Sequence, residues 1–246
     1  MAKHVLLNNV DHKDLRVITR RSADYGDAVM FATTFPAEFR NLQAHYPIVF
    51  LKVPDTGQFQ PVALFGFTER ENLFLSDAGW DAAYVPLTVE RQPFLIGLQQ
   101  PGGSGSGERE MVIHVDLGSP RISTTEGERV FLEHGGITPF LDRINSVLHT
   151  IHLGIEGTPA FIEALLELDL LESFTLDVKL DDHSENRLAG FYMINEDRLS
   201  ALGGDALEKL NRKGHLLAIY MAIASLSNFR ALIDRKNRRL AAGAAS

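Results

Sequence analysis

The sequence predicts an α+β protein, with an antiparallel-rich sheet in the first half, helices gathered in the second half and one late β-hairpin. Three observations predict it. Short apolar runs of β-forming residues, separated by turn chemistry, fill the chain up to about Gly135. From Thr138 onward the apolar residues recur at three- and four-residue steps instead. Phe174–Leu180 and Arg187–Ile194 then return to β patterning on either side of the polar loop Asp181–Asn186. Strands first and helices after do not fit a regular βαβ alternation. The chain therefore reads as a single unit over residues 1–246, subdivided near residue 135 into a strand-rich 1–134 and a helix-rich 135–246.

In order, Val5–Val10 and Leu15–Ile18 are short apolar runs, and Ala28–Phe35 is rich in β-formers. Pro36 opens a short helical stretch, Ala37–His45. Tyr46–Val53 is the strongest strand, and its near-continuous apolar character predicts burial on both faces. Pro54-Asp55-Thr56-Gly57 supplies a turn, because proline presets φ and glycine tolerates φ > 0. Pro61–Phe67 and Asn72–Leu75 follow as further strands. Pro86 and Pro93 exclude a long helix between Trp80 and Leu98. Phe94–Leu98 and Met111–Leu117 read as strands, joined by the glycine-rich Pro101–Gly107, expected to be a mobile surface loop.

Thr138-Pro139 opens a helix, with threonine as N-cap and proline at the first position. Gly154 is its expected C-cap, and Thr158-Pro159 the start of the next helix. Asp205 with Glu208 matches a capping box, and Gly214 ends the helix it opens. A last helix runs from about His215 to about Leu240, with Leu216, Leu217, Tyr220, Ile223 and Leu226 as its expected buried face.

Composition excludes several classes of function. The chain of 246 residues has no cysteine, so it has no disulfide framework, thiolate metal site or cysteine nucleophile. A net charge of −8 argues against a nucleic-acid partner, whose phosphates reward basic chains. The basic run from Arg230 to Arg239 fits a helix C-terminus better than a phosphate- or lipid-binding patch. No secretory leader is read at the start, and no window is judged to reach the roughly 20 apolar residues of a membrane span. The expected location is cytoplasmic.

Histidine is the remaining catalytic currency. His114-Val115-Asp116 places two metal-capable side chains on one face of a strand. With His149, His152 or His183 they would make a two-histidine, one-carboxylate triad for Fe(II). A solvent-facing pair on a half-buried strand explains the same spacing, and no metal or other cofactor is favoured. A second group is aromatic: His45, Tyr46, Trp80 and Tyr84, with Arg91 nearby in sequence to anchor an acidic group. Trp80 is the only tryptophan, and it precedes an irregular, proline-containing segment of the kind that carries binding sites. A buried Trp80 closing the core of the strand-rich half is the competing reading.

Several segments together resemble the SapC family. They are Ala44–Phe50, Pro61–Gly66 and Asn72–Leu75, then Trp80, Tyr84-Val85-Pro86 and Arg91–Phe94. Leu188–Ile194 continues the series, followed by Leu199, Leu202, Leu207, Leu210, Gly214, Ile219-Tyr220 and Ser225-Leu226. The likeness covers roughly residues 10 to 235, and its specificity lies in the order of the segments. It implies an accessory role beside an outer-membrane receptor or a flavin-dependent halogenase-like system, and carries over no catalytic residue. The His114-Val115-Asp116 triplet matches no feature of that family.

The expectation is an accessory or binding protein, not an enzyme, that engages a peptide, a protein partner or a small metabolite. Its binding face would hold His45, Tyr46, Trp80, Tyr84 and Arg91. An iron(II)-dependent oxygenase centred on His114 and Asp116 is the alternative, and a surface-layer-associated structural protein a third. A homo-oligomer is compatible with each.

Overall fold

The structure is a computed structural model, and it describes residues 3–99 and 110–244. The expected loop Pro101–Gly107 lies outside the described residues. In chain order the elements are β1 (His4–Leu6), β2 (Arg16–Val17), β3 (Phe31–Thr33), α1 (Phe39–Leu42), β4 (Ile48–Lys52), β5 (Phe59–Leu64), β6 (Leu75–Ser76), β7 (Gly79–Trp80), α2 (Leu87–Glu90), β8 (Phe94–Gln99) and β9 (Glu110–Asp116). Then come β10 (Ile122–Ser123), β11 (Glu128–Arg129), α3 (Pro139–Glu167), β12 (Leu171–Lys179), β13 (Glu185–Ile194), α4 (Glu196–Ser200), α5 (Gly204–Arg212), α6 (His215–Ser225) and α7 (Asn228–Ala244). The α+β class, the antiparallel pairing and the late hairpin are as the sequence predicts.

The chain gathers into two compact units that do not follow a single cut in the sequence. The first holds Met1–Asp27 and Leu87–His152, the second Ala28–Pro86 and Leu153–Ser246. The helix α3 gives its first half to one and its second half to the other.

In the first unit, β9 pairs with β1 and β8, and β2 with β10 and β11, all antiparallel. Val17, Phe94 and Val115 of these strands, with Val130 just after β11, pack with Leu141, Ile144 and Leu148 of α3. Thr138 caps α3 as predicted, its Oγ1 accepting the Leu141 N–H at 3.3 Å. One ion pair is sealed inside: Arg121 donates from Nη2 to Asp27 Oδ2 at 2.5 Å, and both side chains are buried. Arg121 Nη1 also donates to the carbonyls of Ile18 and Arg20, so the guanidinium holds the segment that follows β2.

In the second unit, a five-stranded sheet has the order β12-β13-β4-β5-β3. Val49, Phe50, Val62 and Leu64 of its centre are sealed, consistent with the predicted two-sided burial of the Tyr46–Val53 run. The Asn72–Leu75 stretch is not a third strand. Only Leu75–Ser76 is extended, and it pairs with Gly79–Trp80 in a separate two-residue hairpin.

Helix boundaries bring further corrections. Gly154 does not end α3, and Pro159 lies inside it. Proline in a helix interior removes one hydrogen bond. Here the carbonyl that loses it belongs to Ile155, which is exposed, and the Thr158 hydroxyl donates to the Gly154 carbonyl one residue earlier. Gly154 is small for packing: a Cβ there would stand 2.2 Å from the Phe35 ring. Asp205 is not an N-cap, because α5 already begins at Gly204 with Gly203 as cap. Gly214, at φ 73°, does make the turn between α5 and α6.

Counted as one run, His215–Ala242 is long and apolar enough to cross a membrane by length and composition, which corrects the expectation that no stretch reaches that length. The structure breaks the run into α6 and α7. The inward face of α6 is Ala218, Ile219, Ala222 and Ser225, while Leu217 and Tyr220 of the expected face are exposed. The pairs 218/222 and 219/222 follow the helical period, so the buried stripe carries small residues where the larger ones were expected.

Candidate functional site

Tyr46, Trp80 and Tyr84 meet in the second unit, in a packed cluster. Tyr46 is fully buried, and its ring stands edge-on to Phe65 at 5.3 Å, Phe74 at 4.7 Å and Trp80 at 6.5 Å. Trp80 Nε1 donates to the Tyr46 hydroxyl at 2.7 Å, and that hydroxyl donates to the Tyr84 carbonyl. The Tyr84 hydroxyl donates to Glu38 Oε1 at 3.0 Å, and Thr34 donates to Glu38 Oε2 at 2.6 Å. Burial pushes the Tyr46 phenol well above its ordinary range, so it stays protonated as a structural donor. His45 touches this group edge-on at 5.9 Å from the Tyr46 ring and is half-buried. Arg91 belongs to the other unit, where Nη1 donates to the Phe94 carbonyl at 2.6 Å and burial lowers the guanidinium pKa.

The basic residues near the C-terminus brace this cluster. Arg235 lies over the Phe74 ring at 4.4 Å and pairs with Asp81 at 2.6 Å. Lys236 pairs with Glu71, and Arg239 donates to the carbonyls of Asn72 and Leu75. These cations are occupied by the segment that carries Trp80.

His114 and Asp116 sit on β9 as expected. His114 faces Gly97 of β8, where a Cβ would stand 2.2 Å from the imidazole, and its Nδ1 is buried without a hydrogen-bond partner. Asp116 Oδ1 accepts the backbone N–H groups of Lys3 at 2.6 Å and Gly118 at 2.9 Å. The Lys3 N–H holds the carboxyl below the usual range. Among the described residues no three His, Asp or Glu side chains gather closely enough to hold a metal ion. Among the described residues no third ligand joins His114 and Asp116.

The open space of the second unit is elsewhere. A cleft of about 700 Å³ runs between the edge strand β3, the β4–β5 turn and the second half of α3. Its apolar floor is Phe59, Val53, Ile155, Pro159, Ile162 and Leu166. Ile155 and Leu166 are half-exposed there, at 53% and 51%. Thr33, Thr34, Gln58 and Gln60 add hydrogen-bonding groups, and Glu163 and Glu167 mark the helix side. Glu167 is paired with Lys209 at 3.0 Å, and that hydrogen bond holds its carboxyl below the usual range.

The matching family model, SapC, spans residues 7–232, and so takes in most of both units. The chain belongs to the SapC family. No curated protein matches it, and no solved structure does. The family therefore brings no residue roles with it, and the reading of this member rests on its own geometry.

Sequence reasoning missed the cleft. One signal was available: Ile155, Pro159, Ile162 and Leu166 recur at steps of four, three and four, a second stripe on α3 beside the one led by Phe161 and Leu165. A helix with two apolar stripes covers two surfaces.

Proposed function

We propose that this SapC-family protein is a non-catalytic binding protein whose cleft between α3 and the β3–β5 edge takes an apolar small metabolite. The observation that carries the reading is the cleft itself. Its volume of about 700 Å³ falls within the range of small-molecule sites, roughly 300–1,000 Å³. Its composition also fits, with an apolar floor and a few placed polar groups. The lining offers threonine, glutamine and glutamate, and pairs no nucleophile with a histidine base. Binding, not turnover, is the activity these groups support. An accessory role beside a receptor or a modifying enzyme is consistent with a protein that holds a metabolite.

The test uses a neutral, apolar, environment-sensitive dye, Nile red, titrated into the full chain. Saturable one-to-one enhancement is expected. The double variant Ile155→Glu with Leu166→Glu alters two exposed side chains and introduces charge on the floor. It is expected to weaken dye binding at least tenfold, equivalent to about 1.4 kcal/mol, with the fold retained. Unchanged binding by the double variant, or no binding by the parent, refutes the reading.

A further inference from the structure

The second unit has another cavity, of about 390 Å³, at the beginning of α6. Two cations reach it from opposite parts of the chain. Arg40 comes from α1, and Lys213 from the turn before α6. Both are exposed, and among the described residues neither stands within 4 Å of a carboxylate. Arg198, Lys209, Arg212, Arg235 and Lys236 of the same unit each hold an acid partner. No aspartate or glutamate lines the cavity. Its two cations therefore make no direct ion pair within the cavity, although Glu167 lies near enough to Lys213 to feel its charge.

His215 sharpens the point. Its ring is braced edge-on by Phe161 at 5.5 Å, and its Nε2 is buried without a hydrogen-bond partner. That nitrogen is closed to solvent, so what this end of α6 offers a ligand in the cavity is its backbone. Gly214 and His215 begin α6, so the helix adds unpaired backbone N–H groups and a positive dipole end to the same wall. Anions suit such a place.

Much of the remaining lining is apolar. Leu153 and Leu217 are exposed at 54% and 48%, and Met221 joins them on the lining. Gly157 leaves the space over the helix open, with nothing within 4 Å of a Cβ built there. A small hydrated anion would leave these side chains unused. A molecule with one negative end and a hydrocarbon body uses both the cations and the apolar lining.

We propose that this cavity binds a monocarboxylate with an apolar tail, its carboxylate held by Arg40, Lys213 and the His215 end of α6 and its tail lying on Leu153, Leu217 and Met221. The site is separate from the cleft beside β3 and does not depend on it.

The probe is octanoate, titrated calorimetrically into the full chain, with octanol and inorganic phosphate as comparisons. Octanoate is expected to bind, and octanol and phosphate each to bind at least tenfold more weakly. Arg40→Gln and Lys213→Gln each remove one charge-assisted contact, expected to weaken octanoate about 10- to 100-fold. Leu217→Ser is expected to weaken octanoate and leave phosphate unchanged. All three positions are exposed, so thermal melts should match the parent. The inference is overturned if octanoate gives no binding heat, or if both charge variants bind it like the parent. It is equally overturned if phosphate binds as well as octanoate, which would mark a bare anion site. Loss of octanoate binding in the cleft variant Ile155→Glu with Leu166→Glu would place the ligand in the wrong cavity and also sink the proposal.

Discussion

Tyr46→Phe isolates one hydroxyl at the centre of the second unit. The ring would keep its contacts with Phe65, Phe74 and Trp80, because only the oxygen leaves. Two hydrogen bonds go with it: the one accepted from Trp80 Nε1 at 2.7 Å and the one donated to the Tyr84 carbonyl. A typical intramolecular hydrogen bond contributes about 0.5–1.5 kcal/mol net, and a buried group left unpaired costs about 1–3 kcal/mol. Tyr46 is fully buried, so the upper part of that range applies and the loss should be about 2–3 kcal/mol. Trp80 is the only tryptophan, so its emission reports unfolding of this unit directly during a urea titration. The midpoint should fall with the slope unchanged, since the surface exposed on unfolding is the same. A loss below about 0.5 kcal/mol would refute the reasoning, because it would mean that water reaches the hydroxyl and its partners.

Asp27→Asn removes the charge that faces buried Arg121, and breaking such a pair from one side should cost about 3–5 kcal/mol. A calorimetric midpoint equal to the parent's would show that the pair is hydrated. Two glycines three apart on α3 should respond in opposite directions in the same urea assay. Gly157→Ala meets open space and should stabilise by about 0.5–1 kcal/mol through helix propensity. Gly154→Ala would press on the Phe35 ring and should destabilise by about 1–3 kcal/mol. A shift of the same sign at both positions would refute the packing argument.

The parts of the fold legible in the sequence are those where one short segment determines its own shape. Thr138-Pro139 specifies a helix start because capping and a fixed φ act within a few residues. The β12–β13 hairpin is legible for the same reason: two β-rich runs flank one polar loop. Gly154 and Thr158-Pro159 mislead because the same residue types serve packing inside a continuous helix. Close approach to Phe35 requires the glycine there, and that contact comes from more than a hundred residues away. The aromatic group was readable as a group, since Tyr46, Trp80 and Tyr84 do meet. Its bracing by Arg235, Lys236 and Arg239 was not, because those residues come from more than 150 positions away. Arg40 and Lys213 are ordinary surface cations in the sequence, and only the fold sets them around one cavity.

The interleaving of the two units bears on how the chain is made. The polypeptide leaves and re-enters each unit, at residues 27/28, 86/87 and 152/153, so no single truncation yields either unit whole. On the ribosome, β4 can pair with β5 early, but its other neighbour, β13, is reached only when Phe191 emerges to meet Leu51. At about 5–20 residues per second, that delay is on the order of 10 s. Throughout it, the edge of a strand carrying Ile48, Val49 and Phe50 has no native partner. Newly made copies crowded on one messenger would offer each other that edge. The five-stranded sheet of the second unit is thus assembled in two instalments, and the interval between them is when the β4 edge stands open.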